Sequence, residues 1–587
     1  MKKLTTYCIL ALLAFPAYSQ YYLRGEIKDE KNRPLPDAKI FVLSSRSFYV
    51  SGANTGDFGI TVKNLYDSLT ISLDGYETRS VGVRTDQWQT IILKISADVA
   101  SKNKPKLISV TKDLHQVEKN NFFSSDETYF QLIENDFVKP IDYPNTGFSL
   151  NVNKASYSNV RRFLNTGSKV PPDAVRTEEL VNYFNLYYRT PADGNHFKIE
   201  SKTTSCPWNK NDQLLYLNVS AQKIDLNKVP PGNFVFLIDA SGSMDLPNRL
   251  PLLKAAFQLF VQNLRAIDTV SIVTYGGFVR VWLRPTSGAD KATILKSIEE
   301  LEAAGDTPGE SAIKVAYQLA RTTFNKQGNN RVILATDGDF NVGETSEKAL
   351  DELISKQRQS GIYLTCLGVG MGNFKDSKLQ TLAKKGNGNY AYLDNLNEAE
   401  RVLVKEISQT LYAVADDVYM NVQFNPAVVK QYRLIGFDNR KEALLDKAND
   451  LEGGEIGSGS NVLAIFQISP TENLANNNST PANQIATLEL KYRKVNDTTT
   501  SRIAYNVFDN FASIDSTDKS IQFAAAVTMF ALKLKDSKLI GNIDWPFIAA
   551  FSKKAADEND YLQQEFLSLV AKAQKLYGSR KRKRITF

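Results

Sequence analysis

Histidine is nearly missing from this chain of 587 residues: there are two, His115 and His196, and neither stands in a motif. Cysteine is almost as rare, at Cys8, Cys206 and Cys366. No Cys/His spacing that could hold zinc exists, so zinc hydrolysis is excluded. Hydrolase chemistry of other kinds lacks an acid/base pair. The cysteines cannot build a disulfide framework. Cys366 sits in a buried-strand pattern (Ile362 to Leu367) as a packed thiol, and one Cys206–Cys366 bridge stays open. Long apolar runs are also missing: past residue 19 none is long enough to span a bilayer. Net charge is scarce too. The formal +7 is fully accounted for by Lys2, Lys3 and the five basic residues Arg580 to Arg584. The folded part is therefore neutral, and no broad nucleic-acid-binding face is expected.

What is present begins with a leader. Lys2 and Lys3 precede an apolar run from Tyr7 to Phe15, and Ala17-Tyr18-Ser19 supplies small residues for cleavage before Gln20. Residues 1–19 read as a signal peptide. The protein is expected to be exported to the periplasm, the cell surface or beyond. Cys8 lies inside the apolar run, so a lipid-modified cysteine is not expected. The remaining length implies several domains.

The chain is organised around Phe234 to Met244, FVFLIDASGSM. Phe, Val, Phe, Leu and Ile run without a polar break, as in a fully buried strand. The strand ends at Asp239, and Ser241 and Ser243 follow across a turn at Gly242. A carboxylate and two hydroxyls thus stand at the carboxyl end of a buried strand, where open α/β sheets bind ligands. Hard oxygen donors without Cys or His suit Mg²⁺, Ca²⁺ or Mn²⁺. Alone, the D-x-S-x-S spacing is equally a turn whose serines bond the backbone.

These residues resemble the metal-ion-dependent adhesion site of von Willebrand factor A domains. The resemblance implies a Thr from a second loop and an Asp after a later strand. Thr307, in Gly305 to Gly309, matches the first, and Asp337, ending the buried run Arg331 to Thr336, matches the second. The implied metal ligands are Asp239, Ser241, Ser243, Thr307 and Asp337.

Around this centre, strands alternate with helices over 228–412, predicting a doubly wound sheet. Strands are expected at 270–275, 279–283, 362–369 and 389–393. Helices are expected from Leu250 to Leu264 and at 289–302, 310–324, 345–360, 375–386 and 397–412. Residues 20–95 alternate short strands with turns, as in a small β-sandwich. Their pattern, with PLPDAKIFV, GDFGI and LTISLDGY, resembles the carboxypeptidase regulatory-like domain, which implies a spacer or docking module. Residues 96–125 are polar and read as a linker.

The flank 126–227 carries FSLNVNKASYSNVRRFL and EELVNY. The flank 413–577 carries YRLIGFDNR and a Gly-rich stretch, 453–459, read as a flexible loop. Both resemble the flanks of exported bacterial von Willebrand A proteins. Family members tend to carry Asp where Asn151 and Asn153 stand, so a second cation site there is not expected. Ser156 and Asp173 are placed to cap short helices. Strands at 198–206 and 213–222 are expected to share one β-sandwich with those at 418–424, 432–435, 462–468, 485–492 and 502–507, the central domain being an insertion. Helices follow at 518–535, 545–556 and 559–576, and then a solvated basic tail, 578–587.

The expected architecture is multidomain: an N-terminal β-sandwich, a doubly wound α/β domain inserted in a second β-sandwich, and C-terminal helices. The expected function is a divalent-cation-dependent protein-binding module, adhesion or scaffold, whose partner's carboxylate completes the metal sphere. A structural envelope protein with a rigidifying metal, and a metal-dependent hydrolase, are the alternatives.

Overall fold

The computed structural model describes residues 21–94 and 127–578, apart from 46, 53–54, 74–75, 226, 277, 305–308, 339–345, 373, 438–452, 473–483, 496 and 498. The segments expected to be a leader and a linker, Thr307 and the tail from 579 lie outside the described residues. The chain divides into two compact units, up to Asp113 and from Leu114.

The described residues of the first unit form seven strands: β1 (Tyr21–Asp29), β2 (Lys39–Val42), β3 (Ser47–Val50), β4 (Asp57–Val62), β5 (Tyr66–Ser72), β6 (Arg79–Arg84) and β7 (Trp88–Leu93). They form two sheets, β4-β1-β7 and β3-β2-β5-β6. Alternation puts Phe58, Ile60 and Val62 of β4 inside, against Leu23, Ile40, Leu69 and Ile91. One apolar core lies between the two sheets.

The second unit opens with β8 (Asn145–Ser149), α1 (Ala155–Asn165), α2 (Thr177–Asn182), β9 (Phe197–Ser205) and β10 (Gln213–Ala221). Next come β11 (Gly232–Asp239), α3 (Leu250–Gln262), β12 (Thr269–Gly276), β13 (Phe278–Ser287), α4 (Lys291–Glu299), α5 (Gly309–Thr322) and β14 (Asn329–Thr336). Then follow α6 (Ser346–Gln359), β15 (Ile362–Gly368), α7 (Asp376–Lys385), β16 (Tyr390–Tyr392), α8 (Leu396–Glu400) and α9 (Ile407–Leu411). The chain ends in β17 (Ala413–Phe424), β18 (Val429–Ile435), β19 (Gly454–Gly457), β20 (Asn461–Pro470), β21 (Gln484–Lys494), β22 (Thr500–Phe508), α10 (Lys519–Leu534), α11 (Trp545–Ala555) and α12 (Tyr561–Tyr577).

Strands β11 to β16 make one sheet, ordered β13-β12-β11-β14-β15-β16, parallel except for β13. Both faces are covered. Phe236 and Ile238 pack on one side with α3, while Val235 and Leu237 pack on the other with α5. This two-sided burial is why β11 reads as an unbroken apolar run. The chain leaves β11 toward β12 on one side and returns to β14 on the other. The strand order therefore reverses at β11, opening a crevice beyond its carboxyl end.

The flanks meet across this insertion. β10 pairs antiparallel with β9 and with β20 in a four-stranded sheet, β18-β20-β10-β9. Strand β17 pairs with β8, β19 and β21, and β21 with β22. Leu215, Leu217 and Val219 face Val418, Met420 and Leu488 between the two sheets. Leu214 and Tyr216, on the opposite face of β10, pack with α1, α2 and the C-terminal helices.

Three expectations are corrected. The Gly-rich stretch is not a free loop: Gly454–Gly457 is a buried strand paired with β17. Its glycines serve close approach, since a Cβ on Gly457 would lie 1.8 Å from the Gln409 carbonyl oxygen. Ser156 and Asp173 cap no helix. The Ser156 hydroxyl donates to the Ala174 carbonyl (2.6 Å) from inside α1, and the Asp173 carboxylate accepts from the Leu132 N–H (2.9 Å). The helix expected at 397–412 is broken by a π-turn over Arg401–Lys405. The open question of a disulfide also closes, because Cys206 and Cys366 are both free and buried. No helix among the described residues is long and apolar enough to cross a membrane.

One buried ion pair ties the inserted sheet to the sandwich. Arg331 of β14 donates to Glu455 of β19 at 2.5 Å, each side chain being 1% exposed. Burial pushes the Glu455 carboxyl up to about 7, against the pull of Arg331. An acid raised in the folded state keeps a proton that the unfolded chain releases, so its contribution to stability falls as pH rises from about 4.5 to about 7. Glu455→Gln removes that titration. Urea denaturation of both proteins from pH 5 to 8 is expected to show the wild type losing stability relative to the variant across this window, by at most about 1.4 kcal/mol per pH unit. Parallel pH profiles contradict the assignment.

Candidate metal centre

Asp239 and Asp337 follow the apolar cores of adjacent parallel strands, β11 and β14, at the crevice, and both are fully buried. Asp239 Oδ1 accepts from the Ser241 N–H (3.0 Å), and its Oδ2 from the Thr336 hydroxyl (2.8 Å). The hydroxyls of Ser241 and Ser243 lie 3.2 Å apart, and Ser243 Oγ donates to Asp337 Oδ2 at 2.8 Å. Four of the five residues picked from the sequence are thus joined in one hydrogen-bonded cluster. The fifth, Thr307, is outside the described residues. Ala304, just before its loop, donates its N–H to the Ala240 carbonyl (2.7 Å).

Burial raises the Asp239 carboxyl to about 6, with bonds from Ser241 and Thr336 opposing and the neighbouring Asp337 adding to the rise. Tyr275 packs alongside, its phenol pushed well above 10 by burial and by the Asp239 charge.

Two residues of the site escaped the sequence reading. Thr336 is a hydroxyl in an otherwise apolar run, one place before Asp337, and that position was its signal. Arg249, at the start of α3, is 6% exposed and bonds Asp337 Oδ2 at 2.5 Å. Its second terminal nitrogen donates to the Met371 carbonyl (3.1 Å). A lone cation between the metal loop and an apolar helix, in N-R-L-P-L-L, was the available clue.

The loop after β15 is fastened from the N-terminal flank. The Glu127 carboxylate accepts from the Gly372 N–H (2.8 Å) and binds Arg162 through both oxygens at 2.8 Å. Thr128 pairs with this segment through the Phe374 carbonyl (3.0 Å).

The donor set of two carboxylates and two hydroxyls fits a hard divalent cation, and among the described residues Arg249 alone does not cancel the charge of both carboxylates. Three large apolar side chains stand exposed at this edge: Leu246 (51%) and Met371 (44%) on loops, and Phe278 (64%) at the start of β13.

Fold and site together define a von Willebrand factor type A protein, and the family profile described as "von Willebrand factor type A domain" matches residues 234–339. A second profile, "von Willebrand factor", matches 123–216, and "Uncharacterized protein YfbK, C-terminal" matches 409–576. The "Uncharacterized protein YfbK" of Escherichia coli strain K12 is 35% identical over 471 residues, covering 75% of this chain and 80% of that one. The chain belongs to the YfbK family.

Weaker similarity extends to the mouse inter-alpha-trypsin inhibitor heavy chain H2, at 27% identity over 33% of this chain and 21% of that protein. It also extends to the magnesium-chelatase 67 kDa subunit of Chlorobaculum parvum, at 28% over 30% of each. Among solved structures, a von Willebrand factor type A protein from Catenulispora acidiphila aligns over 62% of this chain and 88% of its own, with 14% identity and a TM-score of 0.38.

Proposed function

We propose that this chain is a divalent-cation-dependent protein-binding module of the cell envelope. It holds Mg²⁺, Ca²⁺ or Mn²⁺ through Asp239, Ser241, Ser243, Thr307 and Asp337, and binds a protein whose acidic side chain completes the metal sphere. The single observation that carries the reading is the hydrogen-bonded joining of Asp239, Ser241, Ser243 and Asp337 at the reversal point of the sheet. When bound, the ion supplies positive charge at the crevice mouth. The chain's own residues set the donors and, through Leu246, Phe278 and Met371, an apolar margin for the partner. We read the chain as a binder rather than an enzyme. His196, for instance, bonds Gln222 in the flank (2.9 Å) and stands beside Tyr492. The leader-like first 19 residues support export, and the first unit is read as a carboxypeptidase regulatory-like spacer.

Immobilised protein is expected to capture a partner from envelope extract in Mg²⁺ and to release it in chelator. Serine at Leu246, Phe278 and Met371 together should abolish capture while Mn²⁺ affinity, read by calorimetry, stays within about twofold. Capture that ignores chelator defeats the adhesive reading in favour of a structural one.

A further inference from the structure

Asp337 Oδ2 is shared by two donors, the Ser243 hydroxyl and Arg249. Arg249 is held on three sides. One terminal nitrogen also donates to the Ser243 carbonyl (2.8 Å), and the other reaches Met371 in the loop after β15. Gly370 (φ +81°) lies beneath the side chain, where a Cβ would come within 2.6 Å of Arg249 Nε. That loop is itself fixed, the Gly370 carbonyl by the Tyr392 hydroxyl and the Gly372 N–H by Glu127. A guanidinium so buried and clamped does not swing out to solvent when a second cation arrives.

We infer that Arg249 is a resident counter-charge that weakens the site's hold on its divalent ion and makes that hold depend on an added carboxylate. The inference rests on the metal reading above. Asp239 and Asp337 alone would neutralise a divalent ion. With Arg249 bonded to Asp337, the charges of these described residues leave one positive charge over among buried groups poorly screened by water. That surplus disfavours the bare ion and is cancelled by one carboxylate from outside. Ion and carboxylate therefore bind cooperatively, and each strengthens the other by the same factor. The site stays largely empty until an acidic group is presented, which gives it selectivity for acidic partners.

The test uses Mn²⁺ alone, measured by calorimetry on the full mature chain. Arg249→Gln keeps a polar but shorter side chain and loses the charge, and it is expected to bind Mn²⁺ at least about tenfold more tightly than wild type. Arg249→Lys keeps the charge and should stay within about threefold. On the wild type itself, sodium acetate should tighten Mn²⁺ binding relative to sodium chloride at equal ionic strength, and this difference should vanish in Arg249→Gln. The wild-type arm stands even if the variant does not fold. If wild type binds Mn²⁺ but Arg249→Gln binds no tighter, or acetate and chloride give equal affinities on the wild type, the inference about Arg249 falls and the metal site remains. If neither protein binds Mn²⁺, Mg²⁺ or Ca²⁺, both fall together.

Discussion

Asp239→Asn is expected to leave the metal-free protein at least as stable as wild type at pH 8 while abolishing its response to divalent cations. Asp239 is fully buried, and burial raises its carboxyl to about 6. A raised acid contributes less stability as pH climbs from about 4 through about 6, so at pH 8 the wild type bears the whole cost of a buried charge. The amide removes that cost and retains an acceptor for the Ser241 N–H, while the Thr336 hydroxyl can accept from the new NH₂ group. The site, however, loses one of its two charged donors. Urea denaturation of wild type with Mg²⁺ at a hundredfold excess over its Kd should show about 2.7 kcal/mol of added stability, and the variant close to none. Partner capture should disappear with the Mg²⁺ response. A variant that keeps the full response, or a wild type indifferent to Mg²⁺, Ca²⁺ and Mn²⁺ alike, removes the metal from the account.

Arg161→Met should be the most damaging single change away from the metal centre. Arg161 belongs to α1 in the N-terminal flank, yet it binds Asp394 through two nitrogens (2.8 and 2.5 Å), Glu398 at 2.8 Å and Glu565 of α12 at 3.0 Å. It also bonds the Tyr183 hydroxyl (3.0 Å). One guanidinium thereby joins the flank, the inserted domain and the last helix. Removing it leaves Asp394 and Glu398, 5% and 1% exposed, short of a cation, at a cost of about 3–5 kcal/mol at pH 7.

The pH dependence has a definite sign. Despite burial, Arg401 and Arg161 together hold Glu398 down to about 2. A depressed acid contributes stability above about 4.5 that is lost as pH falls toward 2. In the variant Glu398 takes up its proton at higher pH, and Asp394, which burial already raises, does so higher still. The stability gap between wild type and variant should therefore narrow on acidification from pH 7 to 4.5. A gap under about 0.5 kcal/mol at pH 7 contradicts the role of Arg161.

The legible parts of this molecule were those in which one strand or one loop states its own environment. β11 and β14 are covered on both faces, so they read as apolar runs, and the acids following their cores stand out by contrast. Asp239, Ser241 and Ser243 stood out by strand-end position and spacing, and Asp337 joined them through the von Willebrand A resemblance. Arg249 and Arg161 were hidden because their meaning lies in partners far along the chain. Helix α1 buries ten of its eleven residues, charged ones included, and its N-V-R-R sequence looks like an ordinary wet face. Asp394 and Glu565 are 233 and 404 residues from Arg161, and no local pattern links them. β19 misled for the opposite reason. Its glycines are the local sign of a loop, and only the approach of the Gln409 carbonyl explains why side chains are excluded there.

The pairing of β10 with β20 bears on the order in which a growing chain acquires structure. Ser220 and Asn461 are bonded neighbours in the finished sheet but 241 residues apart in synthesis. Strand β10 therefore leaves the ribosome with apolar residues on both its faces and only the polar β9 to pair with. All of β11 to β16 is made in the interval and has every strand of its sheet at hand. Translation thus favours an inserted domain that folds first and a sandwich that closes around it last. Any nascent chain halted before β20 leaves β10 with an open edge and apolar residues on both faces, which makes it a client for chaperones and a seed for aggregation.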